Sequence, residues 1–316
     1  MRAKRGKTYW GYKCRLTPFC VLLAGVAHAQ IKIAVNATTI ESAPIFLAER
    51  TPRVQIVAVP NGREAMAQLL HGDVDAATGS ETQMLLNSIA EPGIRIIMTL
   101  AEARYRIVAR RSSGIRRVAD LRGKKVAATV NTSSQYFLRE MLRKSGMLLD
   151  TDIRFVNLEG PEMPAALRRG DVDAVAIWEP HAQNSLEALG SDAVVLQDSS
   201  VYRERFNLNT TSRVLRDPDK RRALVEFLRA VIQTSKRARS QASETQTQLA
   251  PFINTPAVTI ARVWNQFRFP ANLSGDLQTV LGNVEIFVAA VQYRQPRPQK
   301  ALTPLIDETL LNEAWR

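Results

Sequence analysis

The chain carries one pattern twice. Ala67-Gln68-Leu69-Leu70-His71-Gly72-Asp73-Val74-Asp75-Ala76 and Ala165-Ala166-Leu167-Arg168-Arg169-Gly170-Asp171-Val172-Asp173-Ala174 share one layout: a helix end, a glycine, then Asp-Val-Asp-Ala. Each glycine suits the left-handed position that closes a helix, and the alternation after it starts a short buried strand. Two units of similar plan follow, which agrees with a 316-residue chain that exceeds the usual size of one core. The four aspartates invite a reading as paired catalytic carboxylates. Their place at the amino ends of the strands favours turn hydrogen bonding instead.

From Gln30 onward short Val- and Ile-rich runs alternate with stretches of helical period, the pattern of βαβ units. Strands are expected at residues 31–35, 54–59, 74–77, 94–100, 107–109, 125–129, 153–156, 172–177 and 193–196. Residues 100–107 and 206–214 are expected as crossings between the units. Beyond Asp217-Pro218, a cap with proline in the first helical turn, the final third reads as mainly helical. In each unit a helix start follows the repeated strand, marked by Ser80 with Gln83 in one and Pro180 in the other. Ligands of open α/β sheets bind beyond the carboxyl ends of strands, so two such edges facing each other make a cleft.

The net charge of +13 concentrates at the front, where Arg2, Lys4, Arg5, Lys7, Lys13 and Arg15 have no acidic companion. The remaining 37 basic residues against 30 acidic ones fall mostly on helical stretches, which gives no reason to invoke nucleic acid. Residues 1–29 combine that basic opening with a short apolar run and Ala27-His28-Ala29, the layout of an export signal cleaved before Gln30. Both cysteines, Cys14 and Cys20, lie inside it, so disulfides, thiolate metal sites and a cysteine nucleophile are not expected in the mature chain. His28, His71 and His181 are too scattered for a metal site, and no cofactor is implied.

Several segments then resemble one family: the nitrate, sulfonate and taurine type of substrate-binding proteins of ABC transporters. They are Gly62-Arg63-Glu64-Ala65 through Ala76, Val118 to Ala127, Asn131-Thr132-Ser133-Ser134-Gln135-Tyr136-Phe137-Leu138, and Gly170 through Trp178-Glu179-Pro180. The resemblance implies an α/β, two-lobed type II periplasmic binding protein fold, each lobe a mainly parallel sheet flanked by helices, with a helical C-terminal third. The expected division is 30–105 and 208–316 in the first lobe and 106–207 in the second. It implies a periplasmic or otherwise extracytoplasmic monomer, not an enzyme, that takes a small polar or anionic solute to a membrane permease. A ligand-sensing module and a thiamin-pyrimidine synthase-like enzyme are the rival readings. The chain departs from the family at Arg50-Thr51-Pro52-Arg53, which leads almost directly into the second strand where a longer segment is usual.

Asn131, Thr132, Ser133 and Ser134 precede a helix whose free amides and hydroxyls suit an anion, or merely cap it. Thr38, Thr39 and Ser42 follow the first strand, and Ser80 opens the matching helix; capping and ligand contact are both open to them. Glu41 is awkward beside an anion; it either points to solvent or meets the amine of a zwitterionic, taurine-like solute. Trp178 can close over a ligand or pack in the core. Glu179 either fixes the lobe edge or hinge or touches ligand, Arg104 and Arg106 are candidate cleft cations or simply exposed, and Tyr136 and Asn209 are weaker candidates.

Overall fold

A computed structural model describes residues 30–49 and 52–316. The expected export signal, and Arg50 and Thr51 of the shortened segment, lie outside the described residues. Eleven strands are present among them: β1 Ile31–Asn36, β2 Val54–Val59, β3 Ala76–Ser80, β4 Ile94–Ala103, β5 Arg106–Arg110, β6 Lys125–Ala128, β7 Arg154–Asn157, β8 Ala174–Ile177, β9 Ala193–Leu196, β10 Glu204–Thr211 and β11 Phe267–Arg268. They form a six-stranded sheet, β11-β4-β10-β3-β1-β2, and a five-stranded sheet, β7-β6-β8-β5-β9.

The two sheets repeat one plan. β2-β1-β3 and β7-β6-β8 are parallel trios, and each gains antiparallel neighbours on one side, β10 and β4 in the first sheet, β5 and β9 in the second. The sheets are therefore mixed, with a parallel half and an antiparallel half. The strand that lies next to each parallel trio has come from the other sheet.

The repeat explains the parallel halves. Gly72 and Gly170 both have φ of 82°, ending the helices Gly62–His71 and Met163–Arg169 in the left-handed conformation. The second aspartate of each repeat then locks its strand to the first strand of the same lobe. Asp75 N donates to Lys32 O at 2.8 Å while its carboxylate accepts from Lys32 N at 2.9 Å. Asp173 does the same with Lys125, at 2.8 and 3.0 Å. These aspartates are strand-pairing devices at the end of the sheet away from the cleft.

One expectation needs correcting. Residues 206–214, expected as a crossing, hold the central strand β10, all of it buried. Glu204 already pairs with Ala103, so the return crossing ends before Glu204 rather than occupying 206–214. The outward crossing is equally short, because β4 extends to Ala103 and β5 begins at Arg106. β10 was hidden because its Glu-Arg-Phe-Asn-Leu-Asn-Thr-Thr sequence is polar; it is buried because partners satisfy it, Thr99 Oγ1 donating to Asn207 Oδ1 at 2.9 Å and Asn209 Nδ2 to Ala77 O at 3.2 Å.

Helices cover both sheets. In the second, Phe137, Leu138, Met141 and Leu142 of the helix Ser133–Lys144 are buried, and a separate core joins Val108, Val175 and Ile177 to Met163, Leu167 and Ala182 of the helices Met163–Arg169 and His181–Leu189. The final third is largely helical, led by Pro218–Ser240 with Asp217 capping its first amides. Among the described residues no helix is long and apolar enough to cross a membrane.

Candidate functional site

The carboxyl ends of all six parallel strands converge on one cavity of about 490 Å³, counted out to its open mouth. From the first lobe, β1 leads to Asn36, Thr39 and Glu41, β2 to Asn61, Gly62 and Arg63, and β3 to Ser80 and Gln83. From the second, β6 leads to Thr129, Thr132 and Ser133, β7 to Glu159 and β8 to Trp178. Tyr105 of the outward crossing and Glu204 and Phe206 of β10 complete the lining. This is the geometry that parallel sheets offer a ligand, doubled by two sheets facing each other.

The inner wall is a hydroxyl and carboxyl network. The Tyr105 hydroxyl lies 2.8 Å from Ser133 Oγ and donates to Glu204 Oε1 at 2.9 Å; Ser133 Oγ reaches the same oxygen at 3.2 Å. Thr39 donates to the Glu41 carboxylate, and the Glu204 carboxyl lies near enough to Glu41 to perturb it. Glu41 is 1% exposed and Glu204 3%, and among the described residues no basic side chain pairs with either. Burial, then the neighbouring Glu204 charge, holds the Glu41 carboxyl well above the usual carboxylate range. Burial, then Glu81, pushes Glu204 from 4.5 to about 8. Behind them Glu81 rises to about 7 through burial, against hydrogen bonds from Tyr202 and the Arg205 amide.

Six of the residues weighed from sequence line the cavity: Thr39, Glu41, Ser80, Thr132, Ser133 and Trp178. Ser80 accepts from Gln83 N at 3.2 Å as an N-cap, while the Gln83 amide donates across the cleft to Asn131 O at 2.8 Å. Thr132 caps the helix Ser133–Lys144. The indole nitrogen of Trp178 is buried with no hydrogen-bond partner among the described residues, and its ring lies 6.0 Å from Tyr105.

The other candidates stand outside the lining. Thr38 bonds Asn36 and Pro60, Ser42 donates to Asn36 O at 2.7 Å, and Ser134 donates to Ala176 O at 2.6 Å. Each hydroxyl is spent on turn or sheet geometry. Asn131, at φ 57°, contributes its carbonyl to Gln83. Glu179 is buried against Arg106, at 2.5 Å from Nη2 and 2.6 Å from Nε, so neither is left to meet a ligand. Arg104 belongs to a different cluster: burial, then Arg268 and Arg104, lower the pKa of Arg203. Tyr136 packs on Tyr202 and Asn209 sits inside the first sheet. Arg63, Gln83, Tyr105, Glu159 and Glu204 were not among the sequence candidates for contact. Arg63 and Glu159 follow strands that were expected, so extending the strand-end rule to β2 and β7 would have found them.

Residues 46–242 match the family described as NMT1/THI5 like, a span of more than half the chain. The chain belongs to the NMT1/THI5-like family. This NMT1/THI5-like chain is 28% identical over 227 residues to a putative aliphatic sulfonates-binding protein of Escherichia coli (strain K12), a match covering 68% of each. It is 35% identical over 80 residues to the taurine-binding periplasmic protein of the same organism, covering 25% of this chain and 23% of that one. In structure it resembles the periplasmic aliphatic sulphonate binding protein SsuA from Escherichia coli, with a TM-score of 0.73 and 20% identity over 86% of this chain and 91% of the other. The fold is thus the two-lobed periplasmic binding protein fold expected from the sequence.

Proposed function

We propose that the chain is an extracytoplasmic solute-binding protein that captures a small polar solute between its lobes and delivers it to an ABC importer. The observation that carries this reading is the cavity built from six strand ends, three from each sheet, with a wall completed by the crossings. Binding there joins the lobes directly, and lobe closure is the change a permease can read. The sulfonate- and taurine-binding relatives support the transport role and a location outside the cytoplasm, as does the export signal read from sequence. Capture requires no bond making, and the sequence has no cysteine beyond residue 20 to serve as a nucleophile.

The test is a thermal-shift panel on the mature chain with taurine, ethanesulfonate, nitrate and bicarbonate. A solute at ~100 times its dissociation constant stabilises the fold by about 2.7 kcal/mol. At least one member should raise the melting temperature, and Ser133→Ala or Trp178→Ala should reduce that rise. A rise unchanged by both substitutions would place binding elsewhere.

A further inference from the structure

Three of the cavity's charged lining residues are acidic, Glu41, Glu159 and Glu204, and one is basic, Arg63. Arg63 stands at the mouth, half exposed, where it faces Glu159 at 3.5 Å. The buried wall therefore carries two neighbouring carboxyls and, among the described residues, no cation paired with either. Carboxyls buried in this way are costly unless a partner neutralises them; of the other buried carboxyls Glu81 has only hydrogen bonds, from Tyr202 and the Arg205 amide, while others have cation partners. Glu179 has Arg106, and Glu285 has both Arg294 and Arg297. Glu41 and Glu204 have hydroxyls instead, from Thr39, Tyr105 and Ser133, which orient carboxyl oxygens without cancelling charge.

Resting on the solute-capture reading above, we infer that the solute carries a protonated nitrogen, an ammonium or amidinium group, which sits on Glu41 and Glu204. A simple anion placed against this wall meets two acids and no cation. A protonated nitrogen supplies the missing charge and two or three N–H donors for the carboxylate oxygens. The aromatic residues Tyr105, Trp178 and Phe206 line the same cavity, and a ring face turned to the ligand would add a second attraction for a cation. The unpartnered indole N–H of Trp178 asks in turn for an acceptor, which a zwitterion provides at its other end. As the ligand arrives, protons that burial keeps on these carboxyls leave to solvent, so binding and proton release are linked.

The experiment uses matched pairs that differ in the charged nitrogen: taurine against ethanesulfonate, and benzamidine against benzenesulfonate. Titration calorimetry in two buffers of different ionisation enthalpy gives affinity and proton release together. The nitrogen-bearing member of at least one pair should bind at least tenfold tighter and release protons at pH 7. The double variant Glu41→Gln and Glu204→Gln should lose at least tenfold of that affinity while its unliganded melting temperature stays level or rises, because two buried acids without a cation partner have been replaced by neutral amides. Equal or tighter binding of the nitrogen-free sulfonate overturns the inference and leaves solute capture standing. A fall in the unliganded melting temperature of the double variant also overturns it, since the carboxyls would then be structural. If neither pair binds, nor nitrate nor bicarbonate, the capture reading fails and takes the inference with it.

Discussion

Glu204 belongs both to the central strand of one sheet and to the wall of the cleft, and its titration reports on the empty site. Its pKa is raised in the fold, so folding takes up a proton: the stabilisation is fully present below the ordinary 4.5 and is lost as pH climbs toward about 8. Glu81 acts in the same sense up to about 7. His181 opposes them at lower pH, because burial depresses it from 6.5 to about 4 and its contribution disappears as pH falls through that range. The interval from 6.5 to 8 is thus left to the buried carboxyls. The unliganded protein should lose melting temperature between pH 6.5 and pH 8, and Glu204→Gln should flatten that slope. A wild-type melting temperature that is constant or rises across the interval would contradict the raised carboxyl.

The ion pair of Arg106 and Glu179 ties three elements together. Arg106 starts β5, Glu179 follows β8, and Glu179 also accepts from Gln183 N at 3.0 Å in the helix His181–Leu189. With the Glu179 side chain fully enclosed, Arg106→Ala leaves a buried charge alone and should destabilise the fold by about 3–5 kcal/mol, read as a shift in urea midpoint. A loss below ~1 kcal/mol would mean that the pair is solvated. The same elements show what was legible in advance. Helix ends at Gly72 and Gly170, and the parallel strands after them, are set by local chemistry: a left-handed residue and an alternating apolar run. β10 was not legible, because the partners that Asn207 and Asn209 find across the sheet, Thr99 and Ala77, are distant in sequence. Site residues divide in the same way. Thr39, Ser80, Thr132, Ser133 and Trp178 follow strand ends, and a topological rule finds them. Ser133 and Ser134 are adjacent and chemically alike, but the roughly 100° turn per helical residue sends one to the cavity and the other to a carbonyl of β8. Glu204 enters the site because a returning strand was inserted beside β3, a fact of whole-chain topology.

At the scale of the molecule, the lobes meet through Arg262 with Glu187 and through Phe287 with Tyr136 and Arg139, and across the cavity mouth through Gln83 with Asn131 and one charged pair, Arg63 with Glu159. The charged pair is half exposed on both sides, so it contributes only ~0–1 kcal/mol to closure and is weakened by salt. A weak latch suits a carrier: the empty protein must open, and a strongly latched one would hold its solute from the permease. If the closed form is the one that binds tightly, apparent affinity scales with its population, and removing the latch costs up to about fivefold. Arg63→Ala should therefore speed solute release in stopped flow by a factor of up to about five. It should enlarge the radius of gyration of the unliganded protein in solution scattering, with no change once saturated. Raising salt should move wild-type release toward the variant and leave the variant nearly unaffected. Release rates that stay equal at low salt would show that Arg63 and Glu159 do not hold the mouth, and that closure rests on the ligand's own contacts with Glu41, Glu204 and Trp178.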